Sequence, residues 1–450
     1  MTPKLAWLGD DFTGSAAVME VLAFAGLKTV LFSDIPSEAL AARFADADAV
    51  GIATTARTHG PDWMRAHLPA PLAWLDATGA EILHYKVCST FDSSPTSGNI
   101  GAAIALCLAQ RPADAVPLVT AAPQMRRYQS FGHLFAGTFE GVFRLDRHPV
   151  MSRHPVTPMT ESDLLRHLAG QTDLPARLID LEALWSDDPQ TALETALAEG
   201  ARILSFDDME PRSEAAVGHL IWQNRARLGV AVGSQGLEYA LVRHWQETGA
   251  LPQPPAPASA GSVDRIAAVS GSVSPSTAKQ LAWSAAHGFA LIPFDTVAVL
   301  GAPEALEAEI DRCATAALTA ADRGASPLVT SAEGPKDPRV AAFRAALSAS
   351  AVDAETANAR IGQALGRVLD RVLRKSGLRR AVISGGDTSG HGMRALGLEA
   401  LEALAPTIPG AALCTGHGGG AHDGLQIALK GGQMGSEDFF GWIRDGGGPR

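Results

Sequence analysis

Cysteine is scarce in this chain. Cys88, Cys107, Cys313 and Cys414 are scattered through 450 residues and form no C-x-x-C pair, which excludes a disulfide framework and a zinc site and fits reduced thiols in an intracellular enzyme. Nothing approaches ~20 uninterrupted apolar residues, so no membrane span is expected. Acids appear by residue 10 and there is no long apolar run, unlike a signal peptide, so the expected location is cytoplasmic. Lys and Arg are never gathered into a basic face and the net charge is −11, which argues against a nucleic-acid partner. No G-K-[ST] occurs, so a Walker P-loop is excluded. Internal repeats are absent, and the only low-complexity segment is short.

What is present is an ordinary globular profile, 46% apolar and 19% charged over a length that favours two or three domains. The stretch Ala381–Gly392, AVISGGDTSGHG, organises the reading. Ala381, Val382 and Ile383 predict a short buried strand, and Ser384 to Gly390 a small flexible loop. A helical pattern then runs through Met393, Leu396, Leu398, Leu401 and Leu404. Strand, glycine-rich loop and helix together aim backbone N–H groups at an anion, usually a phosphate. Asp387 in that loop suits magnesium or its waters. A capped strand-to-helix turn is the plainer alternative.

At the other end, Leu5–Leu8 reads as a strand running into Gly9-Asp10-Asp11, with a helix from Ser15 that stops at Gly26. Further strands are expected at Thr29–Phe32, Ala49–Ala53, Glu81–Val87, Pro117–Ala122, Arg177–Leu181, Ala201–Phe206 and Gly229–Val232. Such alternation predicts an α/β fold, with mainly parallel sheets flanked by helices and ligands at the carboxyl ends of the strands. Asp10, Asp11, Arg57 and Lys86 fall at such ends, a carboxylate pair and two cations suited to an anionic, hydroxylated small molecule. The acidic pair could equally cap the helix that follows. Between Pro123 and Pro158 the chain is Phe-, Gly- and Arg-rich, and a β-hairpin excursion carrying Phe135, Phe139 and Phe143 is expected.

The Pro/Ala-rich run Gly249–Gly261 reads as a stiff linker. It divides the chain into a substrate-binding domain at 1–248, a linker at 249–264 and a nucleotide-binding domain at 265–450, with the active site expected in the cleft between the domains. The second domain carries four Gly/Ser-rich loops placed after expected strands, SGSVS, SGGDTSG, TGHGGG and KGGQMG, which together suggest a phosphate cradle at one sheet edge. G-x-G-x-x-A also occurs twice, at Gly390…Ala395 and Gly416…Ala421, so an NAD-dependent dehydrogenase is the runner-up. A non-catalytic sugar-acid sensor is a third alternative.

GDDFTG, Lys86 with Ser89-Thr90 and GNIG, VGSQGL, SGSVS, SGGDTS and LKGGQMGSEDFF, in this order along nearly the whole chain, resemble the successive landmarks of the four-carbon acid sugar kinases. The resemblance implies a substrate domain followed by an ATP domain, with phosphorylation of a tetronate-type acid at its terminal hydroxyl. It also implies ATP and magnesium as cofactors, a role in carbohydrate catabolism and a small sugar acid as the partner, with a homodimer left open. Matched residue by residue, Asp10, Asp11, Arg57, Lys86, Ser89 and Thr90 belong to the substrate side, with Asp10 or Asp11 as the catalytic base. Ser270, Gly271, Ser272, Gly385, Gly386, Asp387, Thr388, Gly432 and Gly435 belong to ATP, with Asp387 as a catalytic and metal residue.

This sequence departs from the family pattern on the substrate side. Cys88 stands where an acid usually precedes the Ser-Thr pair, and Phe91–Ser97 lengthens the loop without the usual arginine. Ala53 and Thr55 replace acids that usually precede the arginine at position 57. The loop Cys88–Ser97 is therefore expected to set the substrate through neutral donors, while Lys86 and Arg57 carry the carboxylate charge. Likeness to a divergent branch implies a branched or oxo-substituted acid such as 3-oxo-isoapionate.

Overall fold

The computed structural model describes residues 2–138 and 140–450, with the side chain of Asp387 outside that set. The chain forms two compact units, one up to Pro255 and one from Ala256. The Pro/Ala run from Pro252 to Gly261 has no regular structure.

The strands are β1 (Leu5–Gly9), β2 (Thr29–Phe32), β3 (Ala49–Ala53), β4 (Ile82–Lys86), β5 (Val116–Val119), β6 (Arg127–Ser130), β7 (His133–Gly137), β8 (Val142–Arg144), β9 (Ala176–Ile179), β10 (Ile203–Phe206) and β11 (Val230–Gly233) in the first unit. The second unit has β12 (Ala267–Ser270), β13 (Phe289–Pro293), β14 (Ser326–Thr330), β15 (Arg380–Ser384), β16 (Ala400–Ala405), β17 (Leu413–His417) and β18 (Leu425–Lys430).

In the first unit the order β2-β3-β1-β4-β11-β5-β10-β9 is parallel throughout. Strands such as LAWLG and TVLF are buried at every residue, as helices on both faces of a parallel sheet require. The chain leaves β1 towards β3 and β2, then returns to place β4 on the other side of β1. That reversal opens a crevice beyond Gly9 and Lys86, which pair in register. The expected hairpin excursion is a separate antiparallel sheet, β6-β7-β8, carrying Phe135 and Phe143; Phe139 lies outside the described residues.

The second unit repeats the device. Its order is β13-β14-β12-β15-β18-β17-β16, parallel from β13 to β18, and the reversal falls between β12 and β15, where Ser270 pairs with Ser384. Ile266, Leu328, Val382, Phe439 and Phe440 share one buried cluster.

Two expectations fail here. The helix after Ser384 runs only over Gly386–Leu396 and ends at Gly397, in the left-handed conformation at φ 65°. Leu401 and Leu404 belong instead to β16, paired antiparallel with β17; the repeated Leu-Glu-Ala run fits helical spacing, but a left-handed glycine stops the helix first. The loop TGHGGG is also misplaced. β17 runs antiparallel to β18, and Gly416 pairs with Leu425 at the start of β18, so this loop turns at the edge opposite Ser270, Ser384 and Lys430. Three loops, not four, share the cradle edge.

Trp7 on β1 pairs in register with Gly51 on β3, and its indole occupies the space where a side chain at 51 would stand. Gly51→Ala should displace a fully buried ring at a cost of about 1–3 kcal/mol. A fall in melting temperature of roughly 2–10 °C is expected, and an unchanged melting curve would contradict this packing.

Candidate functional site

The first cluster forms beyond β1, β3 and β4. Asp11 caps the helix Phe12–Phe24, its Oδ1 accepting from the Gly14 N–H at 2.9 Å. Asp10 is not a cap. It is 4% exposed, and its carboxylate is gripped by Arg57, Nε to Oδ2 at 3.1 Å and Nη2 to Oδ1 at 2.7 Å. Arg57 Nη2 also donates to Asp11 Oδ1 at 2.7 Å. Backbone bonds tie Asp10 to both cations: Asp10 N–H donates to Lys86 O and Arg57 N–H to Asp10 O, both at 3.0 Å.

Burial pushes the Asp10 carboxyl above its ordinary value, against the pull of Arg57 and with Asp11 adding to the rise. Burial also works against the Arg57 charge, but Asp10, Cys88 and Asp11 outweigh it and hold the guanidinium well above its ordinary value. Lys86 is buried and donates to the Val87 carbonyl at 2.6 Å. Gly14 completes the cluster, because a Cβ there would stand 3.0 Å from Lys86 Nζ and 3.4 Å from Arg57 Nη2. Only a residue without a side chain leaves that space free.

The loop Cys88–Ser97 is packed inward. Phe91 is fully buried at φ 57°, its ring edge-on to His167. Ser93 donates to Phe91 O and meets His167 Nε2 and Gln171 Nε2 at 2.9–3.0 Å. Thr90 donates to Asp92 at 2.6 Å and lies 3.0 Å from the Cys88 sulfur. Ser94 and Ser97 bond within the turn, and the Ser97 hydroxyl reaches Arg57 O; Ser89 lies half-buried beside Thr90. Many of the neutral donors expected to face a substrate are spent inside the loop. Burial pushes the Cys88 thiol up, so it is no thiolate nucleophile.

The second cluster lies beyond β12, β15 and β18. Gly385, at φ 126°, heads the helix Gly386–Leu396 with no side-chain cap, leaving the first N–H groups of that helix for an anion. The Gly385 N–H is anchored on Lys430 O at 2.9 Å. A Cβ on Gly271 would collide with the Thr388 hydroxyl, and one on Gly432 with Ser272, so the three loops interlock through their glycines. Thr277 donates to Gly432 O at 2.9 Å and lies 3.0 Å from the Ser272 hydroxyl. Gln280 holds the next turn through Met434 O and Ser436 O at 2.9 and 3.0 Å, close against Gly435.

Among the described residues, the buried hydroxyls of Ser270, Ser331 and Ser384 have no hydrogen-bond partner, as at a site built for another molecule. A cavity of about 280 Å³ adjoins them, lined by Gly271, Val273, Thr296, Phe343, Ile361 and Thr388. The donor set fits a magnesium ion held mainly through phosphates and waters; among the described residues no group of three or more His, Cys, Asp or Glu could hold a metal. Sequence reading placed Lys430 at the head of the loop KGGQMG and gave it no role; it is the last residue of β18. It is 1% exposed, donates to Gly431 O at 3.2 Å and Thr277 Oγ1 at 3.4 Å, and burial pushes it down to about 8. Its signal was a lysine ending an apolar strand just before two glycines.

Neither G-x-G-x-x-A match forms a dinucleotide turn. Gly390-His391-Gly392 lies within the helix, and Gly418-Gly419-Gly420 joins two antiparallel strands. Among the described residues no helix is long and apolar enough to cross a membrane.

Comparison with known proteins matches residues 5–241 to a sugar-binding N-terminal domain and residues 267–440 to a nucleotide-binding C-terminal domain. The chain is 45% identical over 443 residues to a 3-oxo-isoapionate kinase of Paraburkholderia graminis, covering 98% of this chain and 94% of the relative. It is 32% identical to a 3-oxo-tetronate kinase of Pseudomonas fluorescens, covering 97% and 96%. A crystal structure from Salmonella typhimurium LT2, provisionally described as a tRNA synthase, superposes with a TM-score of 0.79 at 26% identity, covering 98% of each chain. A Haemophilus influenzae structure shares the fold at a TM-score of 0.74 and 22% identity, covering 98% of this chain and 99% of its own. The chain belongs to the four-carbon acid sugar kinase family, in which a sugar-binding N-terminal domain precedes a nucleotide-binding C-terminal domain.

Proposed function

We propose that this kinase uses ATP and magnesium to phosphorylate the terminal hydroxyl of a small branched or oxo-substituted sugar acid, of the 3-oxo-isoapionate or 3-oxo-tetronate type, in carbohydrate breakdown. The observation that carries the nucleotide part is the cradle edge, where an uncapped helix start meets three serine hydroxyls that have no partner among the described residues. The acid class is supported by the 45% identity to a 3-oxo-isoapionate kinase.

Phosphoryl transfer asks a protein mainly for positioning and charge compensation. The N–H groups at Gly386 and beyond receive phosphate oxygens, and Lys430 supplies a buried cation whose lowered affinity for its proton is restored by an adjacent anion. Ser270, Ser384 and the Asp387 position would hold magnesium, which when bound offsets charge on the phosphates. On the acid side, Asp10 has both oxygens occupied by Arg57, so it positions the guanidinium. Asp11 engages Gly14 and Arg57 through Oδ1 alone, and its Oδ2 has no partner among the described residues. That oxygen, on a side chain 27% exposed, accepts the proton of the attacking hydroxyl.

ADP release should appear with ATP, magnesium and a panel of tetronates and 3-oxo acids. Binding without turnover would favour the sensor, and hydride exchange the dehydrogenase. Asp11→Asn should lower kcat roughly a hundredfold or more while the ATP Michaelis constant stays near wild type. Full turnover in that variant would reduce Asp11 to a helix cap. The unfolded chain keeps the Lys430 proton up to the ordinary value of 10.5, and the folded chain only to about 8. Between these values the unfolded state binds more protons, so stability rises with pH across the window. Urea unfolding at about pH 7.5 and about pH 9.5 should show that rise in the wild type, and a smaller one in Lys430→Met. Identical pH slopes would refute a neutral buried lysine.

A further inference from the structure

An acid substrate needs a cation with donors to spare, and the two expected ones are partly engaged. Arg57 spends its Nε–Nη2 fork on Asp10, and the Lys86 ammonium is buried against Val87 O.

A third cation stands at the same sheet edge. β4 and β11 end together, Val87 N–H donating to Gly233 O at 2.7 Å, and β11 and β5 end together, Ser234 N–H donating to Val119 O at 2.8 Å. Past β5, Ala122 pairs with Arg127 through reciprocal backbone bonds of 2.9 and 3.2 Å. The first residue of β6 is thereby fixed two strands along from Lys86. Gln129 secures the same strand from below, donating to Ser205 at 2.9 Å and bridging Asp208.

The Arg127 guanidinium is used on one side only. Nη1 donates to the carbonyls of Met125, Arg126 and Gly137 at 3.1–3.4 Å. Nε is buried without a partner, and Nη2 has none among the described residues. Holding the hairpin accounts for Nη1 and leaves the other edge of the plane unexplained. That edge is the two-donor fork that matches a carboxylate. The Thr120 hydroxyl, just past the end of β5, is likewise buried without a partner among the described residues. Burial lowers the affinity of the Arg127 guanidinium for its proton and Arg126 adds to the fall, while Asp92 of the substrate loop favours its charge. Arg57 spends its Nε–Nη2 edge on Asp10, whereas the same edge of Arg127 has no partner among the described residues.

We propose that Arg127 binds the carboxylate of the sugar acid through its Nε–Nη2 fork and thereby selects acids over neutral polyols, an inference that rests on the sugar-acid kinase reading. Calorimetric titration of the full chain with erythronate, a 3-oxo-tetronate and the neutral polyol erythritol, alongside steady-state kinetics, tests it. In Arg127→Gln the affinity and Michaelis constant for the acids should worsen about 10- to 100-fold. The ATP Michaelis constant and erythritol binding should hold. Arg127→Lys, which keeps the charge but not the fork, should recover only part of the loss and serves if the Gln variant fails to fold. Unchanged acid binding in both variants would overturn the proposal, as would an equal loss for acid and polyol, which marks a structural role. If the wild type neither binds nor phosphorylates any acid, the kinase reading itself falls and this inference with it.

Discussion

Parallel pairing is the constraint on which both clusters depend. A parallel strand delivers its carboxyl end to the same edge as its neighbour's, and the chain must cross back over the sheet to begin the next. Wherever the order of strands reverses, two of those ends diverge and leave a crevice. β1 and β4 do this in the first unit, with Gly9 beside Lys86, and β12 and β15 in the second, with Ser270 beside Ser384. The chemistry-bearing residues are mostly the first ones past each strand, where the ladder of backbone bonds stops and side chains gain room. In the second unit, antiparallel β17 sends its glycine run to the other edge and removes it from the site.

Buried charge sets the character of each cluster. Taking ions out of water is costly unless partners replace the lost hydration. Around Asp10 that replacement is extensive, since one guanidinium serves two carboxylates and backbone bonds tie Asp10 to both Arg57 and Lys86. Around Lys430 it is incomplete, with two long hydrogen bonds and no anion in contact among the described residues. The first arrangement suits a framework whose shape must persist through a reaction. The second suits a group that gains when a negative ligand arrives.

Most of the framework was legible in the residues. Short apolar runs, several of them closed by glycine or serine, announced parallel strands, and Asp10, Asp11, Arg57 and Lys86 stood at their ends. Helix termination at Gly397 was not legible, because Leu401 and Leu404 satisfy helical spacing and only backbone geometry decides between helix and strand. Nor was the direction of β17, which depends on pairing with a neighbour rather than on its own composition. For the candidate sites, spacing identified which residues meet but not which of their donors remain free. Ser93 and Ser97 looked available and are committed, while Arg127 looked like part of an irregular excursion and has an idle edge. Hydrogen-bond bookkeeping of this kind exists only in three dimensions.

The loop after β4 carries one more implication, through Phe91. Its backbone adopts a left-handed conformation that a bulky residue reaches only at a cost, and the compensation is complete burial of the ring against His167. A segment anchored in that way is already ordered before any small molecule arrives, so little conformational freedom is lost on binding. The same anchoring makes the segment resistant to piecemeal change, since altering Ser93, Gln171 or His167 would release the ring along with the polar contacts around it. New substrate preferences in this lineage would then arise by exchanging the loop whole, together with the helix Leu164–Leu168 that supplies His167, rather than by drift at single positions.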